Sequence, residues 1–358
     1  MYGGWGNLFV VRVKKESIFI VAAFLIFGLC TFLFVNKGHH FSAKAQENNK
    51  KFIKYAEFNV TSEALDKAMR EDIKSHSEEI KINWIEVLAC LGAKYDGSFK
   101  KYKEKDMNEI ITKLKSGISI DEITKGIKNY NYYHEVYGTV LKEFLGNYKI
   151  QRKPKKEGEE NSWEEVYGLK VFSPIAKTFP YCHYSDFGAS RSYGFSRPHL
   201  GHDMMSAVGT PVIAVESGTV EIMGWNQYGG WRVGIRSFDR KRYYYYAHLR
   251  QNRPFHVDLK EGGTVKAGDV IGYVGHTGYS TKENVNNINT SHLHWGLQLV
   301  FDESQKECDN EIWIDIYAIT KLLEKNKSAI IRNHETKEFY RELDFSEPNL
   351  ESHLKNQS

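Results

Sequence analysis

Hydropathy changes character three times along this chain. Ser17 to Val35 is apolar throughout and carries no charge. As a helix it would be about 28 Å long, close to the thickness of a bilayer's hydrocarbon core. The pattern therefore predicts a transmembrane anchor over 17–35. Ala43-Lys44-Ala45 has the small-x-small form of a signal cleavage site, so a secreted chain is the competing expectation. The apolar run is longer than a usual signal core and ends well before that site. Lysines and arginines flank both ends, so charge bias does not set the orientation.

From about 56 to 150 the apolar residues recur at helical spacing. Leu65, Met69 and Ile73 make one stripe, opened by Thr61 or Ser62. Trp84, Ile85, Val87, Leu88 and Leu91 predict a more buried helix. Met107, Ile110, Ile111 and Leu114 predict a third, ended by Gly117. Ser119 to Glu122 has capping-box form. Tyr133, Val136, Tyr137, Val140, Leu141 and Phe144 predict the last helix. Residues 151–162 are then charged, contain Pro154 and Gly158, and lack apolar anchors, which predicts a linker.

After 163 the period shortens to that of strands between glycine turns. Residues 210–215, 218–223, 231–235, 242–249, 269–274 and 291–300 fit strands of an antiparallel sandwich or barrel. The expected fold class is α+β and multidomain: an N-terminal transmembrane helix, a small all-α region and a C-terminal antiparallel all-β core. The expected boundaries are a cytoplasmic N-terminus at 1–16, the anchor at 17–35, a linker at 36–55, a helical spacer or docking domain at 56–150, a charged linker at 151–162, the β-rich domain at 163–325 and a polar, loosely attached tail at 326–358.

Composition changes this picture little. The 358 residues are 41% hydrophobic and 26% charged, with a net charge of +4. That charge, spread over the whole chain, argues against a nucleic-acid partner. None of the four cysteines forms a CxxC pair, so no thiolate metal site is expected. His134-Glu135 and His334-Glu335 lack a histidine three residues after the glutamate, which excludes an HExxH site. Glu78, Glu79 and Glu86 read as solvated helix residues. The helical region carries no recognisable chemistry, and a protein partner is the expected use for it.

Histidines concentrate in the β-rich part. His292 and His294 are two apart on an expected strand and so project into one groove. His199 and Asp203 lie where a loop enters a strand and face the same side, whereas His202 faces away from Asp203. Tyr244, Tyr246 and His248 share a face of their strand. Imidazoles and a carboxylate are suitable zinc ligands.

Together these stretches resemble the lysostaphin-type (LytM-type) zinc metallopeptidases, a peptidoglycan-cleaving family. Its HxGxD and GTPV elements look like His199 to Asp203 and Gly209 to Val212. Its YxHL element looks like Tyr246 to Leu249, and its HLH element like His292 to His294. Gly262 to Gly272 resembles its turn-and-strand segment. The resemblance covers about 183–300 and says nothing of 1–150. The stretch between Gly278 and His292 is longer than in the family pattern, which bears on substrate specificity.

The resemblance implies one Zn²⁺ held by His199, Asp203 and His294, with His248 and His292 left for acid/base work and Tyr193 as a possible oxyanion helper. It implies a peptidase core that hydrolyses amide bonds in peptidoglycan. With the anchor, the expectation is a single-pass cell-membrane protein whose C-terminal domain faces the wall. A non-catalytic module that binds wall or partner, and a zinc carboxypeptidase acting on stem peptides, are the alternatives.

Overall fold

The expected helices form, and their caps explain where they start. Helix α1 (Ser62–Ser75) opens at Thr61, whose hydroxyl accepts from the Ala64 N–H. Helix α2 (Trp84–Lys94) opens at Asn83, whose side chain accepts from the N–H groups of Ile85 and Glu86. Helix α3 (Glu104–Lys115) follows, then α4 (Ile120–Thr124) with the Ser119/Glu122 capping box. Helix α5 (Tyr130–Leu141) buries Tyr133, Val136, Tyr137 and Val140. The computed structural model describes residues 52–154, 160–192, 196–306 and 310–357. The expected anchor at 17–35 and Tyr193 lie outside the described residues. Among the described residues no helix is long and apolar enough to cross a membrane.

Strands follow. A hairpin of β1 (Leu145–Arg152) and β2 (Ser162–Leu169) precedes β3 (Cys182–Tyr184), β4 (Ser190–Ser192), β5 (Ser196–Pro198), β6 (His202–Met205) and β7 (Pro211–Ile213). Then come β8 (Gly218–Asn226), β9 (Gly230–Ser237), β10 (Arg242–Ala247), β11 (Thr264–Val265), β12 (Val270–Tyr273) and β13 (His292–Leu299). The chain closes with β14 (Ile312–Trp313), α6 (Tyr317–Leu323), β15 (Ile330–Arg332), β16 (Phe339–Arg341), β17 (Phe345–Ser346) and α7 (Pro348–Gln357). The principal sheet is antiparallel, in the order β11-β8-β9-β10-β13-β6-β3, with β14 paired on β13. Its register sets His294 opposite both Asp203 and Ala247, so three neighbouring strands deliver their chemistry to one place.

Three expected boundaries differ from the packing. Strands β1 and β2 pair in unbroken register from Leu145↔Leu169 to Arg152↔Ser162. Gln151, Arg152 and Ser162, at the two ends of the expected linker, are thus paired residues of a hairpin. The helices and the sheet also share one core, running from Ala56 and Leu65 through Leu88 and Tyr137 to Tyr244, Trp295 and Leu323. Chain from Ile53 to Ser358 forms one compact unit. Fully buried Arg242 helps to join its parts: it grips Glu216 through Nε (2.8 Å) and Nη2 (3.0 Å), and its Nη1 donates to the Thr139 carbonyl on α5 at 2.7 Å. Tyr167 on β2 likewise donates to Asp72 on α1 at 2.7 Å.

The tail at 326–358 is not loosely attached. Phe345 is fully buried against Phe172 and Tyr148, and buried Lys170 pairs with Glu347 at 2.5 Å.

Candidate metal centre and groove

The site forms where β6, β10 and β13 lie side by side. His199 precedes β6, Asp203 lies within it, and His294 faces Asp203 across the β6–β13 ladder. Nε2 of His199, Oδ1 of Asp203 and Nδ1 of His294 form a near-equilateral triangle with edges of 3.0, 2.9 and 2.9 Å. Among the described residues this is the one His/Cys/Asp/Glu group of three able to hold a metal ion. Histidine and carboxylate ligands sit about 2.0–2.2 Å from zinc in tetrahedral sites, which spaces neighbouring donors by roughly 3.3 Å. The triangle needs to open by only a few tenths of an ångström to fit.

Protonation of the rings is consistent with that use. His199 Nδ1 lies 2.7 Å from Oδ1 of Asp186, although the N–H is not aimed well enough to form a regular hydrogen bond. A carboxylate beside Nδ1 favours the proton there and leaves the Nε2 lone pair for a metal. Burial would raise the Asp203 carboxyl, but the adjoining rings of His199 and His294 outweigh it and hold the group far below the usual carboxylate range. Burial also lowers His294, against the pull of Asp203, and so favours its neutral, ligand-competent ring.

Gly201 is required by this packing. A Cβ there would fall 2.5 Å from His294 Cε1 and 2.7 Å from the Trp295 carbonyl. The glycine between His199 and Asp203 is therefore the space occupied by the third ring.

Two further imidazoles border the triangle. His248 follows the last residue of β10 with φ of 59°, in the left-handed region that non-glycine residues seldom adopt. Its backbone is fixed by bonds to Gly229 (2.8 Å) and from Gly275 (3.0 Å). Its Nδ1–H donates to the Thr277 carbonyl at 2.9 Å. Burial pushes this imidazole well below its ordinary value, so it stays neutral. His292 Nδ1–H donates to the Thr290 carbonyl at 2.8 Å, and its Nε2 lies 3.8 Å from Asp203 Oδ2. The rings of His248 and His292 are 4.8 Å apart. In both, one nitrogen is committed to a backbone acceptor, leaving Nε2 available to exchange a proton.

The five residues expected to hold the metal or move protons thus meet in one groove of about 510 Å³. The stretch between Gly278 and His292 does border it, contributing Tyr279 and Asn287 to Thr290. The groove also holds two cations that sequence reading passed over. Arg191 bridges Asp186 at 2.5 Å and Asp203 at 3.2 Å. Arg197 lies two residues before His199 on β5. Neither arginine nor Asp186 sits in a recognisable motif. Only the β4–β5 hairpin and the β3–β6 pairing bring them here, and the spacing of Arg197 from His199 is the one signal that pointed to it.

A site with three imidazole and carboxylate donors, two spare imidazoles and an antiparallel sheet behind them has the parts of a metal-dependent hydrolase. Residues 197–307 match the model of Peptidase family M23. It is 32% identical over 217 residues to the L-Ala–D-Glu endopeptidase of Bacillus subtilis (strain 168), covering 60% of this chain and 61% of that protein. It is 38% identical over 98 residues to lysostaphin of Staphylococcus simulans, covering 27% of this chain and 17% of that one. Among solved structures, a putative glycyl-glycine endopeptidase lytM from Ruminococcus gnavus is 21% identical, with a TM-score of 0.45 over 73% of this chain and 91% of its own. The chain therefore spans about three fifths of the first relative and under a fifth of lysostaphin.

Proposed function

We propose that the protein is a membrane-anchored zinc metalloendopeptidase that hydrolyses amide bonds in peptidoglycan peptides. The observation that carries this reading is the triangle of His199, Asp203 and His294 with two imidazoles beside it whose outer nitrogens are held by carbonyls. His199, Asp203 and His294 would hold the ion, leaving room for further ligands on an open side. Bound zinc supplies a water acidified towards neutrality and polarises the scissile carbonyl.

The chain's own residues do the rest. The carbonyls of Thr277 and Thr290 fix the rings of His248 and His292, so each presents Nε2 without a search over rotamers. A neutral imidazole there accepts the water's proton and, once charged, returns it to the leaving amine. Asp186 lies against the His199 ring, and Gly201 leaves the room that the His294 ring fills. Peptidoglycan as substrate is supported by the likeness to the L-Ala–D-Glu endopeptidase of Bacillus subtilis and to lysostaphin. The uncharged run from Ser17 to Val35 supports an anchor with the groove on the wall side.

The test separates two neighbouring histidines in the purified full chain. His294→Ala is expected to lose both zinc and muropeptide cleavage. His292→Ala is expected to lose cleavage by at least about 100-fold while keeping close to one zinc per chain, since acid/base groups contribute roughly that much. Cleavage by either variant at the wild-type rate would overturn the assignment.

A further inference from the structure

The groove contains a cation with no internal counter-charge. Arg197 is half-buried on β5, two residues before His199, and in an extended chain residues two apart share a side. Its Nη2 donates to the Tyr279 hydroxyl at 3.0 Å. Its guanidinium carbon lies 5.1 Å from the ring centre of Tyr228 and 5.4 Å from that of Tyr279. These aromatic faces hold the planar group in position.

Its Nε, however, is buried without a hydrogen-bond partner. Among the described residues no carboxylate comes within ion-pair distance of it, whereas Arg191 is matched by both Asp186 and Asp203. The only carboxylate lining the groove among the described residues is Asp203, which is committed to the histidine triangle. An arginine beside two aromatic rings, whose charge no carboxylate among the described residues meets, suits recognition of a substrate carboxylate through its guanidinium.

We propose that Arg197 binds a free carboxylate on the substrate, so that the groove prefers peptides with an anionic residue beside the scissile amide over uncharged ones. This rests on the reading of the groove as an amide hydrolase and assigns it a specificity-determining residue. Truncating such a charge-matched contact costs about tenfold or more in apparent affinity.

The test uses the full chain loaded with zinc and two muropeptides that differ at one atom group. In one the stem glutamate carries its free carboxylate, and in the other that carboxylate is amidated. The wild type is expected to favour the free acid by at least about tenfold in kcat/KM, mainly through KM. Arg197→Gln is expected to abolish that preference by losing only the free-acid form, with the amidated form changed less than about threefold. Arg197→Lys, which keeps charge but not the planar fork, is expected to recover part of the preference. Unchanged zinc content and melting temperature in Arg197→Gln would show that the site still folds. Equal cleavage of the two muropeptides by the wild type, or an equal loss on both in Arg197→Gln, would overturn this assignment and leave the hydrolase reading standing. Cleavage of neither by the wild type would overturn the hydrolase reading and this inference with it.

Discussion

His292 and His294 stand two residues apart on one strand and face one groove, yet their neighbours give them different work. His294 meets Asp203 and His199 through Nδ1, while the same atom of His292 is taken by a backbone carbonyl. Spacing alone offered the pair without dividing it, because it fixes the face but not the partner, and the division came from the family resemblance. The next residue pair shows the other face of the same logic. His202, beside Asp203, turns away as alternation predicts and hydrogen-bonds His183 at 2.8 Å. Burial, helped by His183, lowers its imidazole from 6.5 to about 4. The unfolded chain therefore takes up a proton that the folded ring refuses. The contribution of His202 to stability is complete above pH 6.5, falls as pH drops, and stops changing near pH 4. In chelator, to exclude metal release, denaturant titrations at pH 7 and 4.5 should show His202→Gln losing less stability on acidification than the wild type, by about 2 kcal/mol. Equal losses would contradict this account of His202.

Among the elements, those with a strong period were legible and those that depend on distant partners were not. The helix at 62–75 and the strand at 292–299 follow from stripes and caps. The strand expected over 242–249 stops at Ala247, because His248 takes a left-handed backbone that no pattern of hydrophobicity encodes. The expected linker at 151–162 lacks apolar anchors because its flanks are paired strands, and those anchors precede and follow it on β1 and β2. The tail misled for a related reason: it is polar on average, and single apolar residues do its anchoring. Phe345 is fully buried between Phe172 and Tyr148. Replacing it with Ala should cost about 3–5 kcal/mol of unfolding free energy, measured by denaturant titration. A cost under about 1 kcal/mol would restore the loosely attached tail.

At the scale of the molecule, the helices and the sheet form one unit, joined by a shared core and by the reach of Arg242 to the Thr139 carbonyl. A helical spacer free to move against the sheet is not what the packing provides. The helices serve as a wall of the domain that carries the groove, and any partner they engage meets that whole unit. The central claim is that this unit cuts peptidoglycan amides with zinc at His199, Asp203 and His294. Its most direct test is mass spectrometry of muropeptides incubated with the full chain in detergent, first with one equivalent of zinc, then after chelation, then with zinc restored. New fragments from amide cleavage are expected with zinc, none after chelation, and their return on restoration. No amide cleavage by the zinc-loaded protein, or cleavage that persists in metal-free protein, would contradict it.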